Sequence, residues 1–415
     1  MTKALQPPRK AALAFIFVTV LIDMLAFGMI IPVLPMLVQN FVGGDAARGA
    51  EFYGLFGTAW ALMQFIFSPV QGSLSDRFGR RTVILISCTG LGLDFILMAL
   101  APNMWWLLLG RVISGIAAAS FSTAGAYIAD VTPPERRAAS FGIIGAAFGV
   151  GFVLGPAVGG MLGALSPRLP FWAAAAMALI NVCWGLFVLP ESLPKDKRVP
   201  FSWKKANPLG SLKLLRSHPL LTGLAGSYLL IALAHAVLPS TTVLYMNFRF
   251  GWQSRAVGMV LAGVGISSLL VQGFLVKPAV RLLKERRAMA VGLIFGTAGF
   301  AVYGLAPTGT IFCIGIPVMA LWAMATPSLQ ALMTRLVDAT EQGRLQGALA
   351  SLTGLASLIG PTMFTQIFAA FIGTHADLRL PGAPFLLAAL LLFTAMLLAW
   401  RTTRPTAIVA ASEPA

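Results

Sequence analysis

Apolar residues run through this chain in blocks too long for the core of a water-soluble domain. Crossing a bilayer takes roughly 17 to 25 mostly apolar residues. Runs of that kind lie near 11–38, 52–71, 82–101, 104–130, 138–163 and 170–189. After a polar stretch, six more lie near 219–246, 255–276, 287–306, 308–332, 343–371 and 383–400. The pattern predicts an all-α membrane protein with twelve transmembrane helices. Its expected domains are an N-terminal six-helix half over 1–193, a cytoplasmic linker over 194–218, and a C-terminal six-helix half over 219–415 that ends in a short cytoplasmic tail. The basic start, Lys3 to Lys10, followed by an apolar run looks like a signal peptide. Ala11 to Val38 is too long for that and has no clear cleavage site, so it reads as the first span.

Composition agrees. Hydrophobic residues make up 58% and charged residues only 11% of the chain, against roughly 25% charged in a soluble domain, which sets a soluble reading aside. The 42 glycines suit membrane helices, whose backbones approach closely at small residues. A formal charge of +16 would suggest nucleic acid, but Lys and Arg matter here by their position relative to the spans. Placing both termini in the cytoplasm puts 24 of them on the cytoplasmic side and five on the other, with Arg111 inside the fourth span. That bias predicts a multi-pass protein of the inner (plasma) membrane and needs no nucleic-acid partner.

The linker carries Lys195, Lys197, Arg198, Lys204, Lys205, Lys213 and Arg216 with Trp203; it either rests on anionic headgroups or is a solvated loop. Cys88, Cys183 and Cys313 fall in apolar stretches without metal-ligand spacing and read as packing residues. His218, His235 and His375 lie far apart, and no phosphate-binding loop is present. Neither an enzyme nor an ATP-driven pump is expected, and no cofactor or metal.

Polar and small residues inside the spans carry the mechanism. Gly149 and Gly155-Pro156 recur as Gly354 and Gly360-Pro361, 205 residues on, close to half the chain, as two parallel repeats would require. The loop after the second span reads Gly72-Ser-Leu-Ser-Asp76-Arg77-Phe78-Gly79-Arg80-Arg81. Its glycines permit a tight turn, its acid can pair or cap, and its arginines face the cytoplasm and anionic lipid. The second-half loop, Lys277 to Arg287, keeps basic residues without those glycines or that acid. Arg111, in Gly110-Arg111-Val-Ile-Ser-Gly115, is costly within a membrane unless paired or hydrated, so it is a functional candidate or half of a structural ion pair. The fifth span, Gly145 to Gly160, offers a flat glycine face with Pro156 able to bend it.

The first loop resembles the signature of the major facilitator superfamily, G-x-x-x-D-R-x-G-R-R, and the fourth- and fifth-span motifs resemble those of its proton-coupled and antiporter members. Asp23 within Leu21 to Pro35, Leu91-Gly-Leu-Asp94, Ala129-Asp130-Val-Thr132, Leu189-Pro-Glu191-Ser192 and Leu345-Gln-Gly347 resemble the tetracycline-efflux branch of its drug:H+ antiporters. The resemblance covers nearly the whole chain and implies a fold of two six-helix halves. It also implies proton coupling through Asp23 and Asp94 with Arg111, a cytoplasmic gate of Gly72, Asp76, Arg77, Gly79, Arg80 and Asp130, and an antiporter motif at Gly149, Gly155 and Pro156. Fixed polar contacts are the alternative reading of the two acids.

The chain departs from that branch in its second half. A branch histidine aligns with Ser268 and a branch aspartate with Gly296, so the substrate is less fixed than the mechanism. His235 is the titratable group left deep in that half; it binds substrate or proton, or is an ordinary interior histidine. Gln64, His235, Ser268 and Gln330 are candidate cavity residues, with Asn181, Gln366, Phe17, Phe65 and Trp322 nearby on apolar spans. The function expected is proton-coupled antiport exporting amphiphilic drugs by alternating access, tetracycline-like compounds leading. The alternative is a transporter of a metabolite such as a sugar or polyamine on the same scaffold. The partners expected are a small-molecule substrate, protons and membrane lipids, with the chain functional as a monomer.

Overall fold

A computed structural model describes residues 10–118, 120–133, 137–201, 212, 214–215, 219–338 and 341–403. Lys204, Lys205, Lys213, Arg216 and most of the linker, together with the tail from residue 404, lie outside the described residues. Every regular element among the described residues is helical. A backbone without water to bond to must close its hydrogen bonds within each segment, and a helix does this.

The first part of the chain forms α1 (Lys10–Ile30), α2 (Leu34–Phe41), α3 (Ala46–Phe78), α4 (Arg80–Leu100), α5 (Met104–Ala117), α6 (Ser120–Val131), α7 (Arg137–Leu165) and α8 (Leu169–Val188). The second forms α9 (Pro219–His235), α10 (Val237–Phe250), α11 (Ser254–Leu270), α12 (Val276–Leu305), α13 (Gly309–Ala320), α14 (Ala325–Thr334), α15 (Gln342–Ile372) and α16 (Ala383–Thr402). Two helix starts carry side-chain caps: the Asn103 side chain accepts from the N–H groups of Trp105 and Trp106, and Thr308 from that of Ile311. Among the described residues, nine helical stretches are long and apolar enough to cross a membrane. One of them, Ser254–Leu305, is 52 residues long. It includes a π-helical turn at Val271–Leu275 and a non-helical residue at Lys284, so the two runs predicted there meet at Lys284 with no separate loop. The fourth and seventh runs are each two helices, α5 with α6 and α9 with α10.

The chain divides into two compact units. Unit 1 comprises Met1–Leu37, Ala59–Asn207 and Gln253–Ala262; unit 2 comprises Val38–Thr58, Pro208–Trp252 and Gly263–Ala415. Each unit therefore takes a short segment from the opposite sequence half. In unit 1, α7 lies directly against α1. A Cβ on Gly155 would sit 2.7 Å from the Gly28 Cα and 2.9 Å from the Leu25 carbonyl oxygen, so this face admits no side chain. α7 continues through Pro156, whose Cδ packs toward Gly28. The adjoining core gathers Ile16, Val20, Met24, Cys88, Tyr127 and Ile128. Unit 2 has an aromatic core in which Tyr303 stacks on Phe312 at 4.2 Å and Tyr245 meets the edge of Phe385 at 5.1 Å.

Candidate functional site

Unit 1 holds an ionic pair in its interior. Asp94, on α4, has no exposed surface, and neither carboxylate oxygen accepts a hydrogen bond. Its contact with charge is the Arg111 Nη2 on α5, 3.8 Å away, within Coulomb contact and outside hydrogen-bond distance. The same Nη2 donates to the Met98 sulfur at 3.6 Å. Gly110 opens the room for this, since a Cβ there would fall 2.6 Å from Asp94 Oδ1. A carboxylate so placed is held by one loose ionic contact, which proton binding would remove. Asp23 is buried on α1. Nearby in the chain, Thr19 donates to the Asn181 side-chain oxygen at 3.2 Å, and the Asn181 amide reaches the Cys88 sulfur at 3.9 Å.

The turn between α3 and α4 forms a second polar cluster. Gly79 takes φ +102°, a conformation that suits glycine, and Arg80 then opens α4. Its guanidinium lies 2.6 Å from Asp76 Oδ1 and 3.3 Å from Asp130 Oδ2 at the end of α6. Ser192 also donates to Asp130 at 3.1 Å, and the Arg80 backbone N–H donates to Glu191 Oε1 at 2.8 Å. Glu191 thus satisfies an otherwise orphan donor at the α4 N-terminus. The Asp76 carbonyl accepts from the Val199 N–H at 3.2 Å, tying the start of the linker to this turn. Arg77 is exposed and lies over the Phe78 ring at 5.0 Å. Gly72 faces open space, with nothing within 4 Å of an added Cβ.

The second-half loop, which lacks the sequence signature, repeats the same construction with its charges exchanged. Adding the 205-residue offset to Gly79, Arg80 and Asp130 gives Lys284, Glu285 and Arg335. Lys284 also has positive φ, at 62°, and Glu285 forms an ion pair with Arg335. The parallel extends one residue further. Arg81 donates to the Leu186 carbonyl near the end of α8, and Arg286 donates to the Trp400 carbonyl and the Thr403 hydroxyl at the end of α16.

Unit 2 contains a cavity of about 520 Å³, within the size range of small-molecule sites. Its polar lining is His235, Ser268, Gln272, Trp322, Thr326 and Gln330; Leu238, Val264, Ile316 and Met319 supply apolar wall. None of the described lining residues is Asp, Glu, Lys or Arg. His235 is exposed toward this space although it ends α9 in mid-run, and its ring lies 5.6 Å from that of Trp322.

The structure brings together Asp94 with Arg111, then Asp76, Arg80 and Asp130, and then His235, Ser268 and Gln330. Gln64 is half-buried in unit 1 and does not line the cavity. Gly149 lies half-buried on α7 beside the packed Gly155 and Pro156. Sequence reasoning passed over Gln272 and Thr326 as cavity residues and Glu191 and Ser192 as partners of the α3–α4 turn. The one-turn spacing of Ser268 and Gln272, flanked at the same interval by Val264 and Val276, would have marked the cavity face of that stretch.

Comparison with known proteins identifies the family of the chain. The Major Facilitator Superfamily profile matches residues 16–361 and 224–414. The chain is 39% identical over 366 residues to the class C tetracycline resistance protein of Escherichia coli, covering 88% of this chain and 91% of that protein. It is 32% identical over 409 residues to the class H protein of Pasteurella multocida, covering 96% and 99%. The crystal structure of the nucleoside transporter NupG superposes with a TM-score of 0.75 at 15% identity, over 93% of this chain and 98% of that one, a likeness of fold. With nine membrane-length apolar helical stretches among its described residues, this multi-pass membrane protein belongs to the major facilitator superfamily.

Proposed function

We propose that the chain is a proton-coupled antiporter that exports amphiphilic drugs across the inner membrane. In this reading twelve spans form two six-helix halves with both termini in the cytoplasm, and the halves alternate access to a midplane site. The observation that carries it is the buried Asp94, without a hydrogen bond and 3.8 Å from Arg111. An unsolvated carboxylate and guanidinium are expensive in a membrane interior and serve no packing purpose. A proton arriving on Asp94 cancels its charge and releases Arg111; loss of that proton restores the contact. Asp23, buried on α1, is a second carboxylate available to the same exchange. Each cycle carries a proton inward on these groups and cargo outward from the cavity lined by His235, Ser268 and Gln330.

The relatives named as tetracycline resistance proteins support export of a drug. Asp76, Arg80 and Asp130, with Arg77 beside them, form the cytoplasmic gate, and the Gly155–Gly28 contact is the seam on which α7 moves against α1. The test uses inside-out vesicles carrying a proton gradient and a panel of amphiphilic drugs. At least one compound is expected to draw protons out of the native vesicles. A panel without any such compound would sink drug antiport.

A further inference from the structure

We infer that the cargo of the unit 2 cavity is an uncharged or anionic aromatic amphiphile presenting hydrogen-bond acceptors, and that the side-chain amide of Gln330 is one of the donors that binds it. This deepens the antiport reading and rests on it for the identity of the cavity as the cargo site.

Among the described residues, the lining contains no carboxylate. A fixed cation, or a drug carrying a chelated divalent metal, would shed its hydration there and meet no counter-charge, which is among the costliest transfers a site can demand. Donors are plentiful instead: Gln272, Gln330, Ser268, Thr326 and the His235 ring all line the space. Trp322 serves as wall: it is 8% exposed, and its Nε1 is buried away from the space. The Gln330 amide carries two N–H donors and lines the cavity from α14.

A cation could still sit on the indole face, but the ring is crowded. His235 lies 5.6 Å away at 42° and Phe300 5.5 Å away at 63°. Gly296 closes against it as well: a Cβ there would sit 2.9 Å from both Cδ1 and Cγ of Trp322 and 2.7 Å from Leu392 Cδ1. Any side chain at 296, a carboxylate included, would displace the indole. The missing acid and the packed indole are therefore one feature, since the ring occupies the space that an acid would need.

Three ligands sharing one ring system, a carboxamide, a carboxylate and a quaternary ammonium, provide the test. Calorimetry on the full-length protein in detergent needs no proton gradient. The carboxamide and carboxylate are expected to bind, with the ammonium at least tenfold weaker. Gln330→Leu keeps the side-chain bulk and should weaken the carboxamide by about tenfold, the loss typical of a buried donor's bond. The same change should barely alter an isostere that replaces the acceptor with methyl. Strongest binding by the ammonium, or an equal loss for every ligand in Gln330→Leu, would overturn the inference. If that variant does not fold, the charge series on the native protein decides alone. Binding as expected without vesicle antiport would count against proton coupling and uphold the cargo class; antiport with the ammonium preferred would do the reverse.

Independently, the 205-residue repeat assigns Glu285 and Arg335 to a charge-reversed copy of the Arg80–Asp130 pair, acting as positioning residues at the second-half turn. Four observations coincide: the offset, the positive φ at Gly79 and Lys284, the ion pair, and the reach of Arg81 and Arg286 to the ends of α8 and α16. Glu285→Arg should lower the maximal transport rate about fivefold, in keeping with a partly exposed pair, and leave cargo KM unchanged. Adding Arg335→Glu should restore the rate to within about twofold, the pair then carrying the charge order of the first half. A silent Glu285→Arg, or a double exchange no better than the single one, would overturn this assignment.

Discussion

Unit 1 and unit 2 are both helical and both carry polar groups in their interiors, yet they use opposite chemistry. Unit 1 buries a carboxylate against a guanidinium at 3.8 Å, with tight backbone packing around it and a glycine seam along α7. Unit 2 opens a cavity whose polar groups are amides, hydroxyls, an imidazole and an indole, with no formal charge of fixed sign. Charge that must change during a cycle is best kept where water is excluded, because there a single proton alters the local field most. Cargo recognition needs room and directional hydrogen bonds. The contrast suggests a division of labour in which one unit reads protons and the other reads cargo.

Moving charge into or out of either unit breaks the comparison in ways that can be measured. Arg111→Ala leaves Asp94 buried beside no cation and is expected to cost about 3 kcal/mol of stability, read as a lowered unfolding midpoint in detergent. Asp94→Asn is expected to reduce gradient-driven export by about a hundredfold, the contribution of a positioned proton-transfer group, while the protein remains folded. Gly296→Asp introduces a carboxylate into unit 2 and pushes the indole aside. It should weaken neutral cargo by about tenfold as the displaced ring distorts the cavity wall, and pairing it with Trp322→Ala should make room for the acid and favour a cationic ligand. The smallest effect is expected at Lys284. Its φ of 62° with ψ 163° is a region almost confined to glycine, so Lys284→Gly should raise stability by about 1 kcal/mol, seen as a higher melting temperature with unchanged transport.

Much of the site was legible because charge inside an apolar run is conspicuous. Arg111 could be singled out from its span alone and Asp94 came with it through the family resemblance, and His235, Ser268, Trp322 and Gln330 were candidates for the cavity that they do line. Gln64 was equally polar but belongs to the other unit. Periodicity along one helix does not say which neighbour its face will meet. Glu191 and Ser192 were visible as a motif but not as partners of Arg80 and Asp130, because contacts across 111 and 62 residues of sequence leave no local signal. The second-half turn looked degenerate since identity was the criterion. An ion pair survives exchange of its partners, and a search for complementary charge at a constant offset would have found Glu285 and Arg335. The break at Ala236 is marked by Pro239, which cannot donate to the His235 carbonyl four residues before it, but the unbroken apolar run concealed it; the π turn at Val271–Leu275 carries Gly273 as its signal.

The central claim is that Asp94 with Arg111 couples protons while the unit 2 cavity holds cargo. The most direct test compares two assays on Asp94→Asn in reconstituted vesicles: export driven by a proton gradient, and gradient-free exchange of labelled for unlabelled cargo. The account predicts loss of the first with the second kept within about twofold of native, since alternating access is independent of coupling. Gradient-driven export at the native rate in Asp94→Asn would contradict it.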